Sequence, residues 1–176
     1  PADYKALVCL FLSGGNDATN LVIPSDISGH AAYASARAEL AIARSSLLPI
    51  APKAYSDGRS FSLHPSVPEM QSLFSQGKLA VLANVGTLVR LTTITEYRTG
   101  KNLPPQLFSH SDQSLQWQSS VPDKPFESGW GGRLADILDA MNASHQVSMS
   151  ISLNGSNSFQ RGNAVSPFVV NPYGVT

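Results

Sequence analysis

Two apolar segments of strand length constrain this chain more than any other feature. Residues 4–12 (YKALVCLFL) and residues 79–85 (LAVLANV) carry apolar side chains on both faces. A strand of this kind must be covered on both sides, which is typical of a parallel sheet between helices. A helix-like segment that ends at Gly77 precedes the second strand, as in the return half of a right-handed β-α-β unit.

The remaining segments alternate with these strands. Four of them have helical spacing and predict helices: residues 29–43, 64–77, 109–119 and 130–141. Residues 146–153 alternate apolar and polar side chains, which predicts a half-exposed strand. Residues 21–24 predict an edge strand or a loop, whereas residues 45–62 and 86–107 predict irregular structure. This order of elements favours an α/β fold with a mostly parallel sheet.

The charge balance limits the classes of partner. The 176 residues include 12 Lys and Arg against 12 Asp and Glu, so the formal net charge is zero. Nucleic-acid binding and electrostatic docking on anionic membranes both need a basic surface, so neither is expected. No apolar run approaches the roughly 18 residues of a membrane span. A single cysteine, Cys9, excludes an internal disulfide framework and a multi-cysteine metal site.

The turn after the first apolar segment, residues 13–20 (SGGNDATN), is one candidate site. Its glycines allow a tight turn close to a ligand, and Asp17 supplies a carboxylate of the type that binds divalent cations. The structural alternative is a strand-to-helix turn in which Asp17 or Asn20 is a cap. A phosphate-binding loop is a weaker option, because the glycine spacing and Gly-Lys-Ser/Thr ending of such loops are absent.

Residues 108–113 (FSHSDQ) form a second candidate site at a predicted helix N-terminus. Free N–H groups there favour anions, so Ser109 is a potential nucleophile if a base or metal takes its proton. The alternative is a capping cluster in which Ser109 is the cap and Asp112 accepts from first-turn amides. Adjacent helical residues point in different directions, so Ser109, His110 and Asp112 are not expected to form a triad.

A third candidate is the glycine-rich segment 127–133 (ESGWGGR). The glycines allow close backbone approach, and Arg133 is a potential ligand for an anion. The structural alternative is that Trp130 packs a helix onto the sheet and that Arg133 pairs with an acid.

Four separated segments resemble one bacterial family of exported proteins, catalogued as a domain of unknown function (number fifteen-oh-one) and grouped with the alkaline-phosphatase and sulfatase superfamily. The segments are LVCLFLSGGNDATNLVIP, FSLHPSVPEMQSLFSQGKLAVLANVG, FSHSDQSLQWQ and SGWGGRLAD, in that order, within residues 4–136. The resemblance implies an alkaline-phosphatase-like three-layer α/β/α fold with a mostly parallel sheet. Residues 1–176 would form the N-terminal part of a single domain whose remainder is missing from this chain. It also implies twin-arginine export and a periplasmic or extracellular location.

The same resemblance implies roles for individual residues. Asp17 matches the acid that binds a divalent metal (Ca, Mg, Mn or Zn) after the first strand. Ser109 matches the nucleophile position, His110 completes the Ser-His dipeptide as a second catalytic candidate, and Ser111 is a weaker substitute for the nucleophile. The superfamily's other metal ligands, including an Asp-His-Gly motif, lie in a C-terminal half that residues 137–176 do not supply. The expected substrate-binding residues are Asn20, Asp112, Gln113 and Arg133.

The resemblance therefore implies an exported, metal-dependent hydrolase of phosphate or sulfate esters, in which Asp17 holds the cation and Ser109 attacks phosphorus or sulfur. The alternative is an exported, non-catalytic binding or assembly protein that keeps the same fold. A third hypothesis is a flavodoxin-like nucleotide binder that uses residues 13–17. The expected partners are a small anionic ester and the remaining C-terminal part of the same protein.

Overall fold

A computed structural model describes residues 6–53, 58–142, 146–153, 155–171 and 173–175. The chain divides into two compact units, Pro1–Ala83 and Asn84–Thr176. Within the described residues, no helix has the length and apolar character that crossing a membrane requires.

The first unit is built on a three-stranded antiparallel sheet. Strand β3 (Phe61–Leu63) lies between β1 (Val22–Pro24) and β2 (Leu48–Ile50). Helix α1 (Ile27–Arg37) follows β1, and helix α2 (Pro68–Ser75) follows β3.

Local signals explain where these helices begin and end. The Asp26 carboxylate accepts a hydrogen bond of 2.7 Å from the Gly29 N–H, which caps α1. Helix α1 ends where Ala38 adopts a φ of 49°, outside the right-handed helical region. Helix α2 begins at Pro68, whose fixed φ suits the first turn of a helix.

The core of the first unit is small and lies between the sheet and α1. Ile23 of β1 and Leu63 of β3 are completely buried. Tyr33 of α1 and Leu47 pack against Ile23 in the same cluster. The predicted helix over residues 29–43 is thereby confirmed in its first part, which docks through Tyr33 onto the sheet.

The second unit contains three helices and three short strands within its described residues. The helices are α3 (Ile94–Thr99), α4 (His110–Ser119) and α5 (Trp130–Leu138), and α5 continues as a 3-10 turn, Asp139–Met141. The strands are β4 (Ile151–Ser152), β5 (Phe168–Asn171) and β6 (Gly174–Val175). Strand β5 pairs in parallel with β4 and antiparallel with β6.

Two glycines of the predicted third site let a neighbouring loop pack directly on α5. A Cβ at Gly129 would lie 2.1 Å from the Phe159 carbonyl oxygen, and one at Gly132 would lie 2.1 Å from the Arg161 carbonyl carbon. The N–H of Gly129 donates to Arg161 O at 2.8 Å, and the Trp130 ring meets Phe159 edge-on at 4.6 Å. The close approach predicted for this segment is therefore made by the protein's own backbone.

The prediction of a three-layer α/β/α fold with a mostly parallel sheet is wrong. The sheet of the first unit is antiparallel throughout, and among the described residues the single parallel pair joins β4 to β5 in the second unit. Residues 6–12 and 79–85, which carry the prediction, form no strand ladder with any described residue, and residues 4 and 5 lie outside the described part. Val8 is 85% exposed and Leu82 is 84% exposed. An apolar sequence alone forms no strand, because a ladder also needs neighbouring backbone to complete its hydrogen bonds.

The other predicted helices and strands agree with the structure to different extents. Helices α4 and α5 begin where the sequence predicts, and residues 21–24 contain the edge strand β1. The strand predicted over residues 146–153 is reduced to Ile151–Ser152. The segments predicted as irregular contain β2, part of β3 and helix α3. Helix α3 has a complete capping box between Thr93 and Glu96, a signal that the sequence prediction missed.

Candidate functional site

The first turn of α4 joins Ser109 and Asp112 through their side chains. Ser109 is the N-cap, and its Oγ accepts a long hydrogen bond of 3.4 Å from the Asp112 N–H. The same Oγ donates its hydrogen to the Asp112 carboxylate. Ser111 Oγ lies 3.4 Å away. The capping prediction for Ser109 is therefore confirmed, and the cap also places a hydroxyl directly against a potential base.

The backbone that leads into Ser109 is in an unfavourable conformation. Gln106 has a φ of 54° and Phe108 a φ of 72°, both in the left-handed region that side chains with a Cβ disfavour. Each such residue costs about 1–2 kcal/mol, and strained backbone of this kind tends to occur at functional sites. The turn is closed by the Ser109 N–H, which donates to Gln106 O at 2.9 Å. The strain lies immediately before the candidate nucleophile.

A small cavity of about 80 Å³ opens beside Asp112. Its wall contains polar side chains that sequence reasoning missed, among them Gln116, which is 8% exposed, and Lys124. Gln116 lies one helical turn after Asp112, on the same face of α4, so the i, i+4 spacing was the signal that could have found it. The cavity is lined by Pro105, Asp112, Leu115, Gln116, Ser119, Val121, Lys124 and Phe126.

The Gln116 amide is only half satisfied. Its Nε2 donates to Pro105 O at 2.8 Å, whereas its Oε1 is buried and has no hydrogen-bond partner within the described residues. The orientation of this amide is fixed, because only the nitrogen end is able to donate to the Pro105 carbonyl. A buried acceptor without a donor is unusual in folded proteins and needs an explanation.

Two other residues of the predicted site, His110 and Gln113, lie on α4, and neither is among the described hydrogen-bond partners of Ser109 Oγ. His110 is exposed at the first helical position, and its imidazole makes no hydrogen bond with a described residue. The backbone N–H of Gln113 donates to Ser109 O at 2.9 Å, which is an ordinary helical bond. Asp112 is therefore the group that the structure brings to the hydroxyl, and a catalytic role for His110 stays a prediction.

Arg133 is engaged by backbone carbonyls. Its guanidinium donates to Ser128 O at 2.8 Å and to Ser119 O at 2.7 Å. These bonds tie the end of α4 to the segment before α5, which agrees with a structural role, although the partners are carbonyls and not the predicted acid. Binding of an anionic substrate by Arg133 stays a prediction and would require these bonds to be exchanged.

In the first unit, an open cleft of about 270 Å³ lies beside Asp17. Thr19 Oγ1 donates to the Asp17 carboxylate at 2.6 Å, and Arg37 forms an ion pair with it. The Thr19 hydrogen bond is the larger and the Arg37 charge the smaller of the two side-chain effects that lower the pKa of Asp17. The cleft is lined by Gly15, Asn16, Asp17, Asn20, Leu21, His64 and Val67.

Asn20 is held on both ends of its amide. Tyr33 OH donates to its Oδ1 at 2.7 Å, and its Nδ2 donates to Leu40 O at 3.0 Å. These bonds fix the turn against α1 and the segment that follows it. A substrate-binding role for Asn20, which lines the cleft, stays a prediction and would require one of these bonds to be exchanged.

The residues at Asp17 do not by themselves fit a resident divalent cation. The one carboxylate of the cleft is already paired with a guanidinium, whose charge opposes a second cation. Within the described ranges, no three His, Cys, Asp or Glu side chains are close enough to share a metal ion. The predicted metal therefore stays a prediction. The predicted metal-dependent hydrolase also requires Asp17 and Ser109 to lie at one common site, and this requirement stays a prediction because the two residues belong to different units.

Comparison of the chain with protein-family models, with curated proteins and with solved structures gave no match. The resemblance to the exported bacterial family accordingly stays a hypothesis that depends on the four quoted segments. What the chain does has to be inferred from the geometry at α4.

Proposed function

We propose that this chain carries the nucleophile of an exported hydrolase of phosphate or sulfate esters, with Ser109 as the nucleophile and Asp112 as its base. The observation that supports the proposal is the hydrogen bond in which Ser109 Oγ donates to the Asp112 carboxylate. A serine hydroxyl is a weak nucleophile until an adjacent base accepts its proton. Capping alone would require only that Oγ accept from a backbone N–H.

The reaction follows from these two groups. Ser109 Oγ attacks the phosphorus or sulfur, the Oγ–P or Oγ–S bond forms, and the hydroxyl proton passes to Asp112. The bond to the ester's alcohol oxygen then breaks, and that oxygen leaves as the alcohol after taking the proton from Asp112. In the second half of the reaction, water attacks the phosphorus or sulfur and gives a proton to Asp112, the Oγ–P or Oγ–S bond breaks, and Ser109 Oγ takes that proton back from Asp112. No step uses a metal.

The surroundings of Ser109 suit an anionic ester. The N-terminus of a helix carries a partial positive charge that stabilises a nearby anion, and Ser109 caps the ten-residue helix α4. Lys124 lines the adjacent cavity and contributes an ammonium group. Both features favour developing negative charge on the equatorial oxygens of the reacting group.

The test compares matched variants of the full chain. Turnover of p-nitrophenyl phosphate and p-nitrophenyl sulfate is measured with and without Ca, Mg, Mn or Zn. We expect Ser109→Ala and Asp112→Asn each to lower turnover about 100-fold or more, because each removes the nucleophile or its base. Ser114→Ala, in the same helix, and Asp123→Asn, an exposed acid, are the controls and should stay within about twofold. Absence of turnover, or full activity in Ser109→Ala, contradicts the proposal.

The second candidate, a non-catalytic binding or assembly protein, is favoured by the exposed apolar segments. Leu10 is 83% exposed and Leu82 is 84% exposed, within segments that pair with no described strand. Exposed apolar surface of this extent typically marks a surface that another polypeptide covers. We propose that the remaining part of the same protein covers it.

Hydrogen exchange tests this second candidate. The amides of residues 6–12 should exchange rapidly in this chain, because they lack ladder partners, and slowly in a version extended beyond Thr176. Equal exchange in both versions would contradict the assembly proposal. Esterase turnover that depends on Ser109 would favour the hydrolase over it.

A further inference from the structure

We infer that Gln116 is a positioning residue, which keeps the Ser109 hydroxyl at Asp112 by holding the backbone turn that leads into Ser109. Gln116 acts on the reaction only through this turn and contacts no reacting atom. The catalytic part of the inference rests on the proposed function. The holding of the turn is a separate property that is measured without turnover.

A side-chain hydrogen bond ties α4 to the turn of residues 105–108. Gln116 Nε2 donates to Pro105 O at 2.8 Å, across 11 positions of the chain. The Gln116 side chain is buried, so close packing around it restricts its movement. The first residue of the turn is therefore held at a fixed place on α4, one helical turn after Asp112.

The turn needs such a contact because its residues do not favour its conformation. Gln106 has a φ of 54° and Phe108 a φ of 72°, and the Cβ of each disfavours the left-handed region. Residues of this kind keep a left-handed conformation only where the surrounding structure imposes it. The bond from Gln116 to the Pro105 carbonyl is a contact from outside the turn that opposes its relaxation.

Ser109 is connected to the turn by its backbone and to Asp112 by its side chain. Its N–H donates to Gln106 O at 2.9 Å, and its Oγ donates to the Asp112 carboxylate. The capping bond from the Asp112 N–H to Ser109 Oγ is long, 3.4 Å, so capping alone holds the hydroxyl weakly. Relaxation of the turn would displace Ser109, and a displacement of about 1 Å can slow a reaction about 100-fold.

The first unit offers a matched control for this bond. Gln71 Nε2 donates to Pro49 O, also at 2.8 Å, and joins α2 to β2. Gln71→Met and Gln116→Met each remove one bond of this kind, because methionine is of similar length and donates no hydrogen bond. Pro49 and Pro105 are both exposed, so water replaces the lost donor and both variants are expected to fold.

Hydrogen exchange measures the holding of the turn in the full chain. The probe is the Ser109 amide, which donates to Gln106 O. We expect this amide to exchange about tenfold faster in Gln116→Met, because the turn opens more often, and at the native rate in Gln71→Met.

Turnover of p-nitrophenyl phosphate measures the catalytic consequence. We expect Gln116→Met to lower kcat about 10- to 100-fold and to leave KM within about twofold, because the hydroxyl moves while Lys124 and the helix N-terminus still bind the phosphate. Gln71→Met should keep both constants within about twofold. Adding Gln106→Gly to Gln116→Met should restore most of the lost kcat, because glycine adopts the left-handed conformation without a steric penalty.

Three results overturn the inference: native exchange of the Ser109 amide in Gln116→Met, an unchanged kcat in that variant, or a loss of kcat that Gln106→Gly does not reduce. Thermal unfolding checks that the variants fold, and Gln116→Leu replaces the methionine variant if that one does not. Failure of the proposed function shows itself separately, as the absence of turnover that depends on Ser109 in the native chain. The exchange of the Ser109 amide then decides by itself whether Gln116 holds the turn.

Discussion

Asp136 holds a loop of the second unit through its carboxylate, and its replacement by asparagine is the sharpest test of how that unit is stabilised. The carboxylate accepts backbone N–H bonds from Asn163 at 2.7 Å, Ala164 at 3.1 Å and Val165 at 2.8 Å. These bonds lower the pKa of Asp136, with the Asn163 N–H as the largest cause. The loop therefore depends on a charged acceptor.

The structure sets the magnitude of the effect. In Asp136→Asn the two bonds to Oδ1 remain but become neutral, and the new amide nitrogen faces the Asn163 N–H, so one donor loses its acceptor. Hydrogen bonds to charged groups contribute about 1.5–3 kcal/mol, against about 1 kcal/mol for neutral ones. The expected loss in the free energy of unfolding is therefore roughly 2–3 kcal/mol.

Urea unfolding followed by tryptophan fluorescence measures this loss, because Trp117 and Trp130 both belong to the second unit. With a slope of about 1–3 kcal/mol per molar urea, the midpoint should fall by roughly 0.7–3 M. Asp123→Asn is the matched control, since this acid is exposed and holds no described loop, and its midpoint should hardly move. A midpoint for Asp136→Asn that equals that of the control would refute the reasoning.

Three further expectations concern pH, a buried hydroxyl and a helix end. The lowered pKa of Asp136 means that its stabilisation is complete above about pH 5 and is lost as pH falls through the folded-state pKa. The midpoint difference between the native chain and Asp136→Asn should thus narrow below about pH 4, and a constant difference down to pH 3 would contradict this. Tyr33→Phe removes a hydroxyl that donates to Asn20 and accepts from the Ile42 N–H, which should lower the free energy of unfolding by about 1–3 kcal/mol. The Ile42 amide should then exchange its hydrogen faster, and an unchanged exchange rate would contradict this expectation. Ser120→Gly should raise the thermal midpoint of the second unit, because Ser120 ends α4 with a φ of 56° and glycine relieves about 1 kcal/mol of backbone strain there. A lower midpoint in this variant would contradict the expectation.

Helices α4 and α5 were predictable because their signals are local, whereas α3 was missed although its capping box is equally local. Ser109 is the N-cap of α4, and Gly129 is the N-cap of α5. The start of each helix is therefore indicated by residues next to it in the sequence. The strands were not predictable in the same way. Residues 6–12 have a strand-like composition and no described partner, whereas β1, β2 and β3 are three residues long and exist because their partners are nearby in the same unit.

The candidate site was only partly predictable for a related reason. The sequence identifies Ser109 and Asp112 as neighbours in a first turn, and the hydrogen bond between them follows from that spacing. The i, i+4 spacing from Asp112 places Gln116 on the same face of α4, but the cavity that it lines also needs Lys124 and Phe126, which come from the segment after α4. The carbonyl partners of Arg133 are likewise set by packing, so no local motif could indicate them.

The central claim is that Ser109 is a nucleophile, and trapping its covalent intermediate tests this most directly. The full chain is mixed with p-nitrophenyl phosphate, quenched in acid within one turnover, digested and examined by mass spectrometry. The account predicts a phosphoryl group on Ser109 that is absent from Asp112→Asn, because the attacking oxygen then lacks its base. A phosphoryl group on Ser111, or none on the α4 peptide while p-nitrophenol is released, would contradict it.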